Sequence, residues 1–256
     1  MNVSVTAPLL VAFVLATVRA AAWLTVAPPF GGGRVPVAVK GILAFALALP
    51  VAPRLPVDPA GISTGELISD AVLQVFVGGA LGFVTYLLFA GIQAAGSLID
   101  LFGGFQIASA YDPLSQSQNS VFGKLTDQLA AVLLFALNGH LLIVEGFERS
   151  YTAIPLGAGL ELTRLSHVLT VGIGQFFLAA LEIAAPLVGV LFIVDVGLGL
   201  LTKMAPALNA LSLSFPAKIL ATLLLFGLVI PLFPGAVERV TSDGLDAVAA
   251  LYRHAG

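Results

Sequence analysis

Charge is scarce in this chain. Only 10% of its 256 residues are Asp, Glu, Lys or Arg, against roughly 25% in a typical soluble domain. A soluble fold of this length needs a polar surface, and the residues to build one are missing. Cysteine is absent, which excludes a disulfide framework and thiolate metal sites. The three histidines, His140, His167 and His254, are too scattered in sequence to point to a metal centre. A net charge of −3 leaves no basic patch, so a nucleic-acid partner is not expected. Catalytic signatures are missing too: there is no G-x-S-x-G, no H-E-x-x-H and no Walker A sequence. Gly31-Gly32-Gly33-Arg34 is Gly-rich, but no Lys-Ser/Thr follows, so it reads as a turn. Neither an enzyme nor a cofactor is expected.

What is present is apolar: 59% of the residues are hydrophobic. The expected fold class is all-α, a polytopic membrane protein of helices and helical hairpins. Val3 to Val18 is an apolar run with no positive charge before it, so it reads as a first membrane helix that stays rather than a cleaved signal. Helices are predicted over about Val5–Val26, ending at Pro28-Pro29, and Val37–Leu49, ending at Pro50. Ala71–Ile99, the longest uncharged run, exceeds the ~20 residues needed to cross a bilayer. Leu129–Val144, Leu169–Leu201 and Ile219–Leu232 follow, the last closed by Pro231 and Pro234. Met204–Pro216 reads as an amphipathic link and Val237–Tyr252 as a short amphipathic terminal helix. Arg34 and Lys40 give the first turn a slight cytoplasmic bias.

Two groups of residues stand out. Asp100 to Asp127 breaks the apolar pattern. It opens with Gly103-Gly104, carries Phe102, Phe105, Ile107 and Tyr111, turns at Asp112-Pro113, and continues through Gln116 to Ser120, polar but uncharged. Two readings stand: an ordinary connector between membrane helices, or an element in a narrow pore. Its length exceeds the usual connection, and long loops are often functional. The second group is ionisable: Arg19, Glu182, Asp195, Lys203 and Lys218 lie in or beside apolar stretches. A charge at the membrane centre costs at least ~2.5 kcal/mol on the insertion scale, so such groups pair or face a polar cavity. Glu182 and Asp195 are in reach of Lys203 or Lys218 across a helix hairpin. Ion pairs that fix helix register or dock a partner are favoured over a proton relay, because four of the five charges fall within Glu182–Lys218. Paired glycines at Gly78-Gly79 with Gly82, and Pro186, Pro231 and Pro234, read as interruptions of apolar helices. Asn138-Gly139-His140 is placed inside an apolar helix, with His140 as a packing residue.

Four stretches together resemble the FliR/SctT family of type III secretion export-gate proteins. The first is Val26 to Phe30 with Arg34-Val35-Pro36. The second runs from Phe105-Gln106-Ile107-Ala108 through Tyr111-Asp112-Pro113 to Phe122-Gly123. The third is Leu137 to Ile143, with Ser150 and Pro155-Leu156-Gly157. The fourth is Ala184-Ala185-Pro186, Asp195, Gly197, Gly199, Ala205-Pro206, Asn209, Phe215-Pro216 and Lys218. The resemblance implies a single copy in a helical assembly with several FliP and FliQ subunits, associated with FlhB and FlhA. Such an assembly is the inner-membrane portal for unfolded protein substrates. It implies a FliP-like part over 1–165 and a FliQ-like hairpin with a terminal helix over 166–256. The segment 103–122 corresponds to a pore plug, with Gly103, Gly104, Phe105, Gln106, Ile107, Tyr111, Asp112, Pro113, Gln116 and Phe122 as its residues. Glu182, Asp195, Lys203 and Lys218 become subunit-interface or buried charges. Glu182 departs from the pattern, since the family often has Gln there, whereas Asn138 leans to the flagellar branch. The alternative reading is a small-solute secondary transporter coupled through Glu182 and Asp195. The inverted repeats that would favour it are not found.

Overall fold

A computed structural model describes residues 6–55, 63–106, 120–156, 162–204 and 210–242. Every regular element among them is helical. They are α1 (Ala7–Val26), α2 (Val37–Val51), α3 (Thr64–Phe102), α4 (Val121–Ala136), α5 (Gly139–Ala153), α6 (Leu162–Met204) and α7 (Ala210–Val229). Short 3-10 turns lie at Gly32–Arg34, Ala52–Arg54 and Ile230–Leu232. Five helices are long and apolar enough to cross a membrane, or up to six if the broken pair α4–α5 counts as one span.

Several boundaries differ from those predicted, each for a local reason. α3 starts at Thr64 rather than near Ala71 because a capping box sets its first turn. The Ser63 N–H donates to Glu66 Oε2 at 2.7 Å, and the Glu66 N–H donates to Ser63 Oγ at 3.3 Å. Leu129–Val144 is not one helix. α4 begins at Val121, where Ser120 caps it, and buries Phe122, Thr126, Ala130 and Leu134 four residues apart along one stripe. Lys124, Asp127 and Gln128 punctuate that stripe and hide it from a hydropathy reading. The helix then stops, because Asn138 takes the left-handed conformation at φ 57°. Asn138-Gly139-His140 therefore marks a joint, not a helix interior. Pro50 lies one residue inside the end of α2. Pro231 falls in the 3-10 turn, and residues 233–242 are helical again, with Pro234 in the first turn, where its missing N–H costs nothing. Of the predicted link Met204–Pro216, residues 205–209 lie outside the described residues and α7 already runs from Ala210. Of the terminal helix, residues 243–252 lie outside them.

The chain folds into two compact units. The first comprises residues 1–88, 138–174 and 241–256. Its core is built on one stripe of α1, Ala12, Leu15, Ala16, Ala20, Trp23 and Leu24, with Ala44 and Ala48 of α2, Val77, Leu81 and Val84 of α3, and Phe147 and Tyr151 of α5. Trp23 stacks on Phe147 with ring centroids 4.4 Å apart. Gly78 and Gly82 do not interrupt α3. They are where its backbone touches α1: a Cβ at Gly78 would lie 2.3 Å from the Arg19 carbonyl oxygen, and one at Gly82 would lie 2.9 Å from that of Trp23. Arg19 is fully buried. Its guanidinium donates to Gln74 Oε1 at 2.7 Å, the Ser150 carbonyl at 3.2 Å and the Ile154 carbonyl at 2.8 Å. It also lies 4.6 Å from the Tyr151 ring centroid. Lys40 is buried as well, donating to the Gly32 carbonyl at 3.0 Å and closing the turn before α2.

The second unit comprises residues 89–137 and 175–240. Phe89, Ile92, Ala95 and Ile99 of α3 are buried in it, as are Phe122, Ala130 and Leu134 of α4, Leu187 and Leu191 of α6, and Phe226 of α7. Much apolar surface stays outside: Phe192, Ile193 and Met204 of α6 and Leu220, Leu224 and Leu228 of α7 are all exposed.

Candidate functional site

The site is assembled in the second unit, where the segment singled out by composition leaves α3 and re-enters at α4. Asp100, in the last turn of α3, is 1% exposed. Its carboxylate accepts from the Phe122 N–H at 3.0 Å and the Gly123 N–H at 3.4 Å, and from the Ser120 hydroxyl. Ser120 Oγ in turn accepts from the Gly123 N–H at 2.8 Å. The first N–H groups of a helix have no partner within it, and the macrodipole there favours a carboxylate. One acidic side chain thus caps α4 and ties together two chain positions 20 residues apart. Packing reinforces the tie. A Cβ on Gly96 would lie 2.5 Å from the Phe122 carbonyl oxygen, so only glycine lets α3 and α4 approach this closely.

Gly103 and Gly104 form the turn that ends α3. The Gly103 N–H donates to the Ile99 carbonyl at 2.8 Å, and Gly104 takes φ +82°, where other residues are strained. Phe105 packs edge-on against Phe122 at 5.1 Å, Phe122 against Phe226 of α7 at 4.7 Å, and Phe226 against Phe233 at 6.0 Å. Gln106 is exposed. Ile107, Tyr111, Asp112, Pro113 and Gln116 lie outside the described residues.

The candidate charges separate. Asp195 and Lys218 form an ion pair at 2.5 Å joining α6 to α7, both partly shielded. Glu182 and Lys203 are exposed. Arg19 belongs to the other unit. Of the pairings in reach, Asp195 with Lys218 is the one formed among the described residues. No group of three or more His, Asp or Glu that would hold a metal gathers among them.

Asp100 and Ser120 lie in the segment singled out by composition, but sequence reasoning gave neither a role of its own. Asp100 had a signal, as the first charge after an uncharged stretch of α3, and Ser120 has one as an N-cap residue two before a bulky apolar residue.

Known proteins resemble this chain over nearly its whole length. The model of the family described as bacterial export proteins, family 1, matches residues 10–244. The flagellar biosynthetic protein FliR of Escherichia coli (strain K12) is 30% identical over 231 residues, covering 90% of this chain and 88% of that protein. FliR of Bacillus subtilis (strain 168) is 26% identical over 243 residues, 94% of each. The surface presentation of antigens protein SpaR of Shigella flexneri is 32% identical over 154 residues, 60% of this chain and 59% of that protein. The small-solute transporter reading finds no support among these relatives. With the model matched from the first membrane helix to beyond α7, the chain belongs to the bacterial export proteins, family 1, the family of the FliR proteins.

Proposed function

We propose that this chain is a non-enzymatic channel subunit of a flagellar type III export gate. One copy assembles with FliP- and FliQ-like subunits into the inner-membrane portal for unfolded substrates, with FlhA- and FlhB-like proteins alongside. Residues 1–165 play the FliP-like part and 166–256 the FliQ-like part. The segment between Gly103 and Phe122 plugs the pore, and the charges of α6 and α7 serve contacts with neighbouring subunits. FliR of Escherichia coli and FliR of Bacillus subtilis cover 90% and 94% of the chain and SpaR covers 60%, which favours the flagellar branch.

One observation carries the proposal: the segment is gripped at both ends. Asp100 holds the start of α4 against the end of α3, and Phe105 and Phe122 close the base above it. What lies between is tethered to a rigid footing, as a plug must be if it is to yield and return. Closing a loop of this length costs entropy that grows only as its logarithm, so a few anchoring contacts suffice.

The test is removal of residues 109–118, which leaves the cap Ser120 and the anchor Asp100 in place. The expected result is a membrane that leaks small ions while the subunit is still incorporated into its complex. Unchanged conductance with normal incorporation refutes the plug.

A further inference from the structure

The base of the loop is keyed to α7 as well as to α4. Phe215, Lys218, Thr222 and Phe226 recur at intervals of three and four residues and so share one face of α7. That face meets the loop at both ends. A Cβ placed on Gly103 would lie 2.6 Å from Thr222 Oγ1 and 3.0 Å from Thr222 Cγ2. One on Gly104 would lie 3.6 Å from Phe215 Cδ1 and 3.9 Å from Lys218 Cδ. Phe226 packs on Phe122, where the segment returns.

The seat is rigid. Thr222 is fully buried, and its hydroxyl donates to the Lys218 carbonyl at 2.8 Å, which fixes its rotamer. The Lys218 ammonium is held by its ion pair with Asp195. A turn of two glycines lies directly on this face with no side chain between them and it. Contacts of this kind are all or none, because packed surfaces do not stretch.

We infer that Thr222 is a positioning residue for the loop, with Lys218 and Asp195 supporting it, so that displacement of α7 releases the loop's base. The inference rests on the plug reading for what release does, but the seat itself is measurable without it.

The experiment uses the full-length chain in its assembled membrane complex, with two readouts. The first is ion leak. Gly103→Ala must push α7 and the loop base apart and raise the leak about tenfold. Thr222→Leu, which overfills the same contact from the other side, does the same. Adding Thr222→Ala to Gly103→Ala lowers the leak several-fold. Full recovery is not expected, since a Cβ at 103 also meets the Ile99 carbonyl oxygen at 2.8 Å. Where removal of 109–118 does cause a leak, a double variant as leaky as Gly103→Ala overturns the inference. The second readout is labelling of Thr222→Cys, the only thiol in an otherwise cysteine-free chain, by a water-soluble maleimide. Protection that is lost when Gly104→Val strains the turn supports the seat. A rate that is the same with and without Gly104→Val overturns it. If removal of 109–118 causes no leak while that labelling still changes, the plug reading fails and the seat stands.

Discussion

Among single residues, the strongest constraints are two buried polar groups with opposite tasks. Arg19 serves three acceptors on α3, on α5 and just beyond it, from the middle of an apolar helix. Replacing it by Leu takes the guanidinium donor from Gln74 Oε1 and from the half-buried Ile154 carbonyl, while the Ser150 carbonyl keeps the Ile154 N–H, at about 1–3 kcal/mol for each buried group left unsatisfied. Arg19→Leu is therefore expected to lower the thermal midpoint of the detergent-solubilised protein by several degrees. Arg19→Lys should recover only part, because an ammonium lacks the planar fork that reaches three acceptors at once. A melting curve unchanged in Arg19→Leu would contradict this account of the hub. Asp100 acts locally. Asp100→Ala removes the carboxylate that holds the start of α4, leaving Ser120 as the remaining cap, and is expected to cost about 2 kcal/mol. Hydrogen exchange at the Phe122 amide, which donates to Asp100, should rise by more than tenfold, while exchange in α1 stays as it was. Uniform acceleration across the chain would mean that Asp100 supports the whole fold rather than the loop's footing.

Among elements, α3 is the most deeply packed of the candidate spans: 56% of its most apolar stretch is buried inside the chain, against 28% for α6 and 22% for Ser214–Ser242. Its glycines divide sharply by direction. Gly78 faces the backbone of α1 and has no room for a methyl group, whereas a Cβ on Gly79 meets open space. Gly78→Ala should destabilise by about 2 kcal/mol or more, since backbone cannot step aside. Gly79→Ala should be neutral or stabilising by up to about 1 kcal/mol, because alanine favours helix. Thermal melts of the two variants side by side check this, and equal midpoints would refute the close crossing. A hydropathy reading finds α3 but treats both glycines alike, as breaks. Periodicity says that a helix is there, and only the neighbour says which glycine is needed. The same limit explains the joint at Asn138. An apolar run from Leu129 to Val144 looks continuous, and the single left-handed residue that splits it is a short side chain able to adopt that backbone.

At the scale of the whole molecule, the all-α class and most helices were legible, because a shortage of charge and long apolar runs leave few alternatives. The charge pairing was legible only in part. Composition narrowed it to carboxylates and lysines across a hairpin, and the partner choice, Asp195 with Lys218, depends on how α6 and α7 face each other. Glu182 and Lys203, read as members of the same group, stand exposed on the isolated chain. Exposed carboxylate and ammonium groups on the same helix as the exposed Phe192 and Ile193 make a surface that is neither purely lipid-facing nor soluble. Sister subunits that cover it would bury the apolar residues and meet the charges together, as the proposed assembly requires. The most direct test is native mass spectrometry of the tagged chain purified from the membrane in mild detergent. The account predicts a single copy of this chain in a stable complex with several FliP-like and FliQ-like subunits. A folded, monodisperse monomer free of both would contradict it.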